Sequence, residues 1–301
     1  MEKLYKRELY LNKIRGFYKD AETIKVITGI RRCGKSSLLE TIIEELKEKG
    51  IEEKNIIEIN LDKRPYKNVK TPEQLDKLIS SLITDDDFKY IFIDEIQNVI
   101  GFEETIESYR SEKNYSIFIT GSNSYLLSGE LVTKLTGRKI EIEMLPLNFY
   151  EYIDMKKFLN IEEKNSIYEE FEQYIREGGF PGALNYNNEQ DRKLYVQNIL
   201  DDIFIKDIKV NQKIKNSENF KNIQRYIINN FGSMISASSI QKYYNSININ
   251  LDIRTIEKYI KVLSDAKIIY PCNTFDIKSK ISLSGEKKYY LADLSIYFLY
   301  N

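Results

Sequence analysis

The chain of 301 residues contains no histidine, no tryptophan and only two cysteines. Without histidine there is no Ser-His-Asp or Cys-His nucleophile system, no imidazole general base and no histidine-ligated zinc. Cys33 and Cys272 are too few for a four-thiolate metal site or a disulfide framework, so the expected compartment is the reducing cytoplasm. No apolar run approaches ~18 residues, which excludes an evident membrane span, and the opening MEKLYKRELY is too charged for a signal peptide. What is present is 42% hydrophobic and 30% charged residues, enough for a sizeable core beneath well-solvated helix faces, over a length that suits roughly two domains.

The net charge of −1 hides a segregation. Residues 1–148 carry 24 basic against 26 acidic side chains, residues 149–205 carry 6 against 12, and residues 206–301 carry 15 against 8. The first segment alternates β-branched runs (Ile24–Thr28, Ile56–Leu61, Tyr90–Ile93, Ser116–Thr120, Lys139–Met144) with helical patterns, as in Leu38, Leu39, Ile42, Ile43 and Leu46. Buried runs alternating with helices predict an α/β fold with a mostly parallel sheet covered on both faces. From Phe149 to Ile208 the pattern is helical, broken once at Gly178-Gly179-Phe180-Pro181-Gly182. Three helices then follow, Phe220–Asn230, Ser236–Tyr244 and Ile253–Ala266, the last with Asp252 as N-cap, and two strands, Lys267–Cys272 and Lys288–Leu291. Three helices and a hairpin predict a winged helix over 206–301, after an α/β domain over 1–148 and a helical connecting region over 149–205.

Gly29-Ile30-Arg31-Arg32-Cys33-Gly34-Lys35-Ser36 fits G-x-x-x-x-G-K-[ST] at every fixed position, between a strand and a helix. Gly29 and Gly34 permit the backbone to turn its amides toward phosphate oxygens, and the following helix adds its positive end. Lys35 is expected on the β- and γ-phosphates and Ser36 on Mg²⁺, with Ser37 completing the first turn. Arg31 and Arg32 add positive potential; which of them faces nucleotide and which meets acids is open at this point. Cys33 reads as a small loop residue or as a thiol activated by the helix terminus. Tyr90-Ile91-Phe92-Ile93-Asp94-Glu95 is an apolar strand ending in two carboxylates, Asp94 for the metal and Glu95 as base for an attacking water. Ser122 or Asn123, after Ile119-Thr120-Gly121, would sense the γ-phosphate, and Arg138 reads as an arginine finger or a surface ion pair.

In order, GIRRCGKSS, YIFIDEIQ, ITGSNSYLLSGE, LTGRKIEIEMLPLNFYEY and EGGFPGAL resemble a bacterial and archaeal AAA-type ATPase family over nearly the whole chain. The resemblance implies a P-loop NTPase fold with an extra strand between the P-loop strand and the Asp94 strand, and a C-terminal winged helix. It implies ATP and Mg²⁺ as ligands, self-association with Arg138 donated in trans, and the roles above for Lys35, Ser36, Asp94, Glu95 and the Ser122/Asn123 turn. Members of that family commonly continue past a Tyr-x-x-Asp-Leu-Gly segment into a nuclease-like domain. Here Tyr290-Leu291-Ala292-Asp293-Leu294-Ser295 has Ser for Gly and Asn301 follows closely, so no nuclease role is expected, and Ile296 to Leu299 would stand partly uncovered.

Arg254, Lys258 and Lys261 fall on the helix face opposite the Ile256, Tyr259, Ile260 and Leu263 stripe, and with Lys287 and Lys288 they form a candidate surface for double-stranded DNA. The sequence thus favours an Mg²⁺-dependent ATPase, with an ATP-gated DNA-binding regulator as the alternative. A phosphotransferase is disfavoured by Glu95 following Asp94.

Overall fold

A computed structural model describes residues 4–121, 137–209, 214, 216–276 and 281–301. Its contacts divide the chain into two units, Met1–Gly29 with Cys33–Met144, and Ile30–Arg32 with Leu145–Asn301. Among the described residues no helix is long and apolar enough to cross a membrane.

The first unit is built on parallel strands β1 (Ile24–Gly29), β2 (Ile56–Asn60), β3 (Lys89–Asp94), β4 (Tyr115–Thr120) and β5 (Lys139–Met144), in the order β2-β3-β4-β1-β5. The β-branched runs form these strands, and β1, β3 and β4 are buried along their full length, as a sheet covered on both faces requires. β4 lies between β1 and β3, the inserted strand that the family resemblance implies. Helices α1 (Glu8–Ile14), α2 (Lys35–Glu48), α3 (Pro72–Leu82) and α4 (Phe102–Ser111) belong to the same unit. α2 buries the predicted stripe from Leu38 to Leu46, and a capping box between Thr71 and Gln74 starts α3. Phe92 and Phe118 stack at 4.6 Å in the sheet's middle. The register pairs Asn60 with Asp94, Ile93 with Ile119 and Ile27 with Thr120, so Asn60, Asp94 and Thr120 stand side by side at the carboxyl edge.

The second unit continues with α5 (Phe149–Phe158), α6 (Ile167–Glu177) and α7 (Glu189–Asp202), which runs into a π-helical segment, Ile203–Lys209. Then come α8 (Ser217–Asn229), β6 (Met234–Ile235), α9 (Ala237–Ser246), α10 (Ile253–Asp265), β7 (Ile269–Asp276) and β8 (Ile281–Leu291). The three predicted helices are present, and Asp252 caps α10 by accepting the Thr255 N–H at 3.3 Å. β7 and β8 exceed their predicted lengths, and β6 adds a third antiparallel strand in the order β6-β8-β7. The expected exposure of the last apolar residues is corrected in part: Ile296 is fully buried, while Tyr297, Phe298 and Leu299 are half-buried.

Candidate functional site

β1 ends at Gly29, whose φ of 141° and close neighbours leave no room for a side chain. A Cβ there would stand 2.2 Å from the Met144 carbonyl oxygen and 2.9 Å from Cys33 Sγ. Gly34, at φ 107°, then turns the chain into α2 without any side-chain cap, and the positive end of that helix faces the loop. Lys35 is buried, and its Nζ donates to the Gly29 carbonyl at 2.9 Å, inside the loop's own curve. Ser36 and Ser37 are exposed in the first turn of α2.

The two loop arginines separate. Arg31 pairs with Asp207 of the π-helical segment within the second unit, Nη2 to Oδ1 at 3.2 Å and Nε to Oδ2 at 3.3 Å. Arg32 is exposed, takes a left-handed conformation at φ 67° and makes no ion pair among the described residues. Cys33 is fully buried and burial pushes its thiol up, against the pull of Lys35 and Arg7, so the activated-thiol reading is corrected: Cys33 is a packing residue. Its carbonyl accepts from Nη1 of the buried Arg7 at 3.0 Å.

Asp94 is 6% exposed and held from both neighbouring strands. Asn60 Nδ2 donates to Oδ2 at 2.8 Å, and the Thr120 hydroxyl donates to Oδ1. Glu95 follows in the left-handed region at φ 57°, with its N–H donating to Thr120 Oγ1 at 3.2 Å and its carboxylate accepting from the Gln97 amide. A non-glycine residue held there costs on the order of 1–2 kcal/mol, and such strain concentrates where a side chain must be aimed.

Ser36 and Asp94 line one cleft, together with Glu40, Glu58, Asn60 and Phe92. Burial lifts the Glu40 carboxyl above its ordinary range, and Glu58 and Asp94 add to the lift. A hydroxyl and a carboxylate in an acidic cleft are hard oxygen donors that fit Mg²⁺, an ion needing only one or two protein ligands besides phosphate and water.

Ser122 and Asn123 lie outside the described residues. Thr120, two positions earlier on β4, is the residue that touches Asp94; sequence reasoning passed over it and Asn60 because both contacts depend on strand order. Arg138 is corrected as a contributor to its own chain's loop. Ile24 pairs with Lys139 and Gly29 with Met144, which puts Arg138 at the amino edge, about 15–20 Å along β1 from the loop. There it pairs with Glu107.

The five cations of the C-terminal segment make no ion pair among the described residues, and they do not share one face. Arg254 and Lys258 line a groove with Asn216 and Asn219, whereas Lys261 and Lys287 line another with Ser236 and Tyr289. Lys288 is corrected as a member of that surface: side chains alternate along β8, so it stands with exposed Tyr290 on the opposite side from Lys287 and buried Tyr289.

Comparison with known proteins agrees with this architecture. An AAA domain is matched over residues 21–153 and a domain of unknown function, DUF8612, over residues 168–299. An uncharacterized protein of Haemophilus influenzae is 34% identical over 292 residues, covering 95% of this chain and 71% of that protein. An uncharacterized protein of Methanocaldococcus jannaschii is 33% identical over 272 residues, covering 88% of this chain but 60% of the relative. Among solved structures, a Walker-type ATPase of Pyrococcus abyssi superposes with a TM-score of 0.65 at 17% identity, over 99% of this chain and 96% of that one. The ORC2 protein of Aeropyrum pernix, solved in ADPNP and ADP complexes, superposes at 0.51 and 12% identity, over 95% and 87% of the two chains. The structural likeness shows the fold; the chain carries an AAA domain and belongs to one family with the uncharacterized Haemophilus influenzae protein.

Proposed function

We propose that the protein is a Mg²⁺-dependent ATPase, with an ATP-binding domain over residues 1–148, a helical connecting region over 149–205 and a winged-helix module over 206–301, acting as a self-associated assembly. The observation that carries this reading is that Ser36 of the glycine-rich loop and Asp94 of β3 line one cleft, with Glu95 next in the chain. The loop's backbone amides, the α2 N-terminus and the Lys35 ammonium grip the phosphates, and Arg32 adds positive charge at the rim. Ser36 and Asp94 hold the metal, which neutralises phosphate charge when bound; Asn60 and Thr120 fix the carboxylate that does so. Glu95 removes the proton of the attacking water, Ser122 or Asn123 contacts the γ-phosphate, and Arg138 serves the site of a neighbouring copy.

Lys35→Ala abolishes ATP binding in calorimetry on this reading; unchanged affinity removes it. Glu95→Gln keeps binding and loses at least ~10²-fold in turnover, as loss of a general base should. A second reading, an ATP-gated DNA-binding regulator, is favoured by Arg254, Lys258, Lys261 and Lys287, which make no ion pair among the described residues. It requires duplex affinity that differs between ATP-bound and ATP-free Glu95→Gln protein, read by fluorescence anisotropy.

A further inference from the structure

α10 and the inner face of the β6-β8-β7 sheet flank a groove of about 360 Å³. Helical spacing puts Glu257, Ile260, Lys261 and Ser264 of α10 along one wall. Lys287 and Tyr289, two positions apart on β8, share the sheet face that forms the other, and Pro271 of β7 lies opposite Tyr289 in the register. Ser236 and Ala237, where β6 gives way to α9, close one end and bring the positive terminus of that ten-residue helix.

Tyr289 is 6% exposed, yet its hydroxyl has no hydrogen-bond partner among the described residues. A buried phenol ordinarily finds an acceptor, because leaving it unpaired costs on the order of 1–3 kcal/mol. Burial also pushes this phenol up from its ordinary range, so it stays a donor. Lys261 and Lys287 make no ion pair among the described residues either. Two acids lie near them. Glu257 lines the same groove, exposed and without an ion pair among the described residues, whereas Asp265, one turn beyond Lys261, feels that charge without lining the groove. Glu286 and Lys288 alternate onto the other face of β8.

This donor set selects among anions. A carboxylate or a phosphodiester offers two free oxygens and a single charge. A phosphate monoester offers three strong acceptors and about −1.5 to −2 of charge at neutral pH, which matches two ammonium groups and a phenol. Glu257 repels such an anion, and is suited instead to accept hydroxyl groups from the body that carries it, as an acidic residue does toward a ribose. Ile260, Pro271 and the Tyr289 ring give that body apolar cover.

We propose that this groove binds a small phosphate monoester on a hydroxylated body, a sugar phosphate or nucleoside 5′-monophosphate, with Lys261, Lys287 and Tyr289 on the phosphate and Glu257 on the hydroxyls. The site uses none of the residues of the glycine-rich loop. It shares Lys261 and Lys287 with the DNA-binding reading and does not require that reading.

The test is calorimetric titration of the full chain with ribose 5-phosphate in nucleotide-free buffer. Binding is expected with a dissociation constant of ~1 mM or below. Lys261→Ala, Lys287→Ala and Tyr289→Phe each weaken it by ~10-fold or more, the last by removing one hydroxyl that supports nothing else in the fold. Lys288→Ala and Lys35→Ala leave it unchanged. Inorganic phosphate, which has no hydroxylated body for Glu257, binds at least ~5-fold more weakly, and Glu257→Gln narrows that gap. Dimethyl phosphate, a diester, binds at least ~10-fold more weakly. Absence of ribose 5-phosphate binding, affinity untouched by Lys287→Ala and Tyr289→Phe, or equal affinity for inorganic phosphate or the diester overturns the proposal. So does loss of binding in Lys35→Ala, which would assign the heat to the glycine-rich loop. Intact binding in that variant, whatever its ATPase rate, keeps this outcome apart from failure of the ATPase reading.

Discussion

Asp293 is a buried carboxylate with three donors and no cation. It accepts the Gly179 N–H at 2.6 Å, the Ser295 N–H at 3.0 Å and the Ser295 hydroxyl. Gly178 must lack a side chain here, since a Cβ would lie 1.8 Å from Asp293 Oδ1. The Ser that stands where the resembled family has Gly adds the hydroxyl bond, while the amide bond is one that either residue can make. Burial outweighs these donors and pushes the carboxyl up from 3.8 to about 6. The folded protein therefore holds this proton more tightly than the unfolded chain. The contribution to stability is fully present below about pH 4 and is lost as pH rises through about 6, by roughly 3 kcal/mol. Denaturant titration across that window should show the difference between wild type and Asp293→Asn falling by about this amount and staying level above pH 7; a difference flat from pH 4 to 6 means the carboxyl does not titrate there. Asp94 gives a second expectation. Removing its Thr120 or Asn60 bond, in Thr120→Val or Asn60→Ala, should raise the Mg²⁺ concentration for half-maximal ATPase by ~10-fold or more, as loss of a bond that orients a metal ligand does. An unchanged requirement would mean that these bonds do not hold Asp94 for metal.

Strands, helices and loops were legible where the pattern was local. The β-branched runs gave β1 to β5, the stripe from Leu38 to Leu46 gave α2, and the glycine and lysine spacing gave the loop. Contacts fixed by strand order were not legible: Thr120 reaches Asp94 only because β4 lies beside β3, and Arg138 falls at the far edge only because β5 runs parallel to β1. β6 is two residues long and carries no periodicity to read. In α6 the helix itself was legible, but not that Glu170 is buried on the side it shares with Phe171 and Tyr174, since its partner Lys156 comes from α5. Arg7 was silent for the same reason, its partner lying 26 residues away in the loop. Its guanidinium sits 4.6 Å over the Tyr10 ring while Nη1 holds the Cys33 carbonyl. Arg7→Ala should free that peptide and weaken ATP binding by ~10-fold at nearly unchanged kcat, whereas a general loss of folding would lower the active fraction and leave the dissociation constant alone. Calorimetry with an active-site count separates the two.

Across the whole chain, charge is sorted by segment, and the C-terminal excess is the part on which the proposed DNA-binding reading rests. If Arg254, Lys258, Lys261 and Lys287 each neutralise one phosphate of a duplex, the logarithm of the binding constant should fall against log salt with a slope of about −3 to −4. Changing any of these to Ala should reduce the slope by ~1 without altering preference among sequences, since a phosphate contact positions the protein and reads no base. Lys288 supplies the contrast, because the alternation of β8 puts it on the sheet's other side. Lys288→Ala should leave the DNA slope unchanged. A slope change equal to that of Lys258→Ala would mean that duplex reaches both sides of the sheet, and a slope near zero for the wild type would mean that this positive segment does not meet duplex.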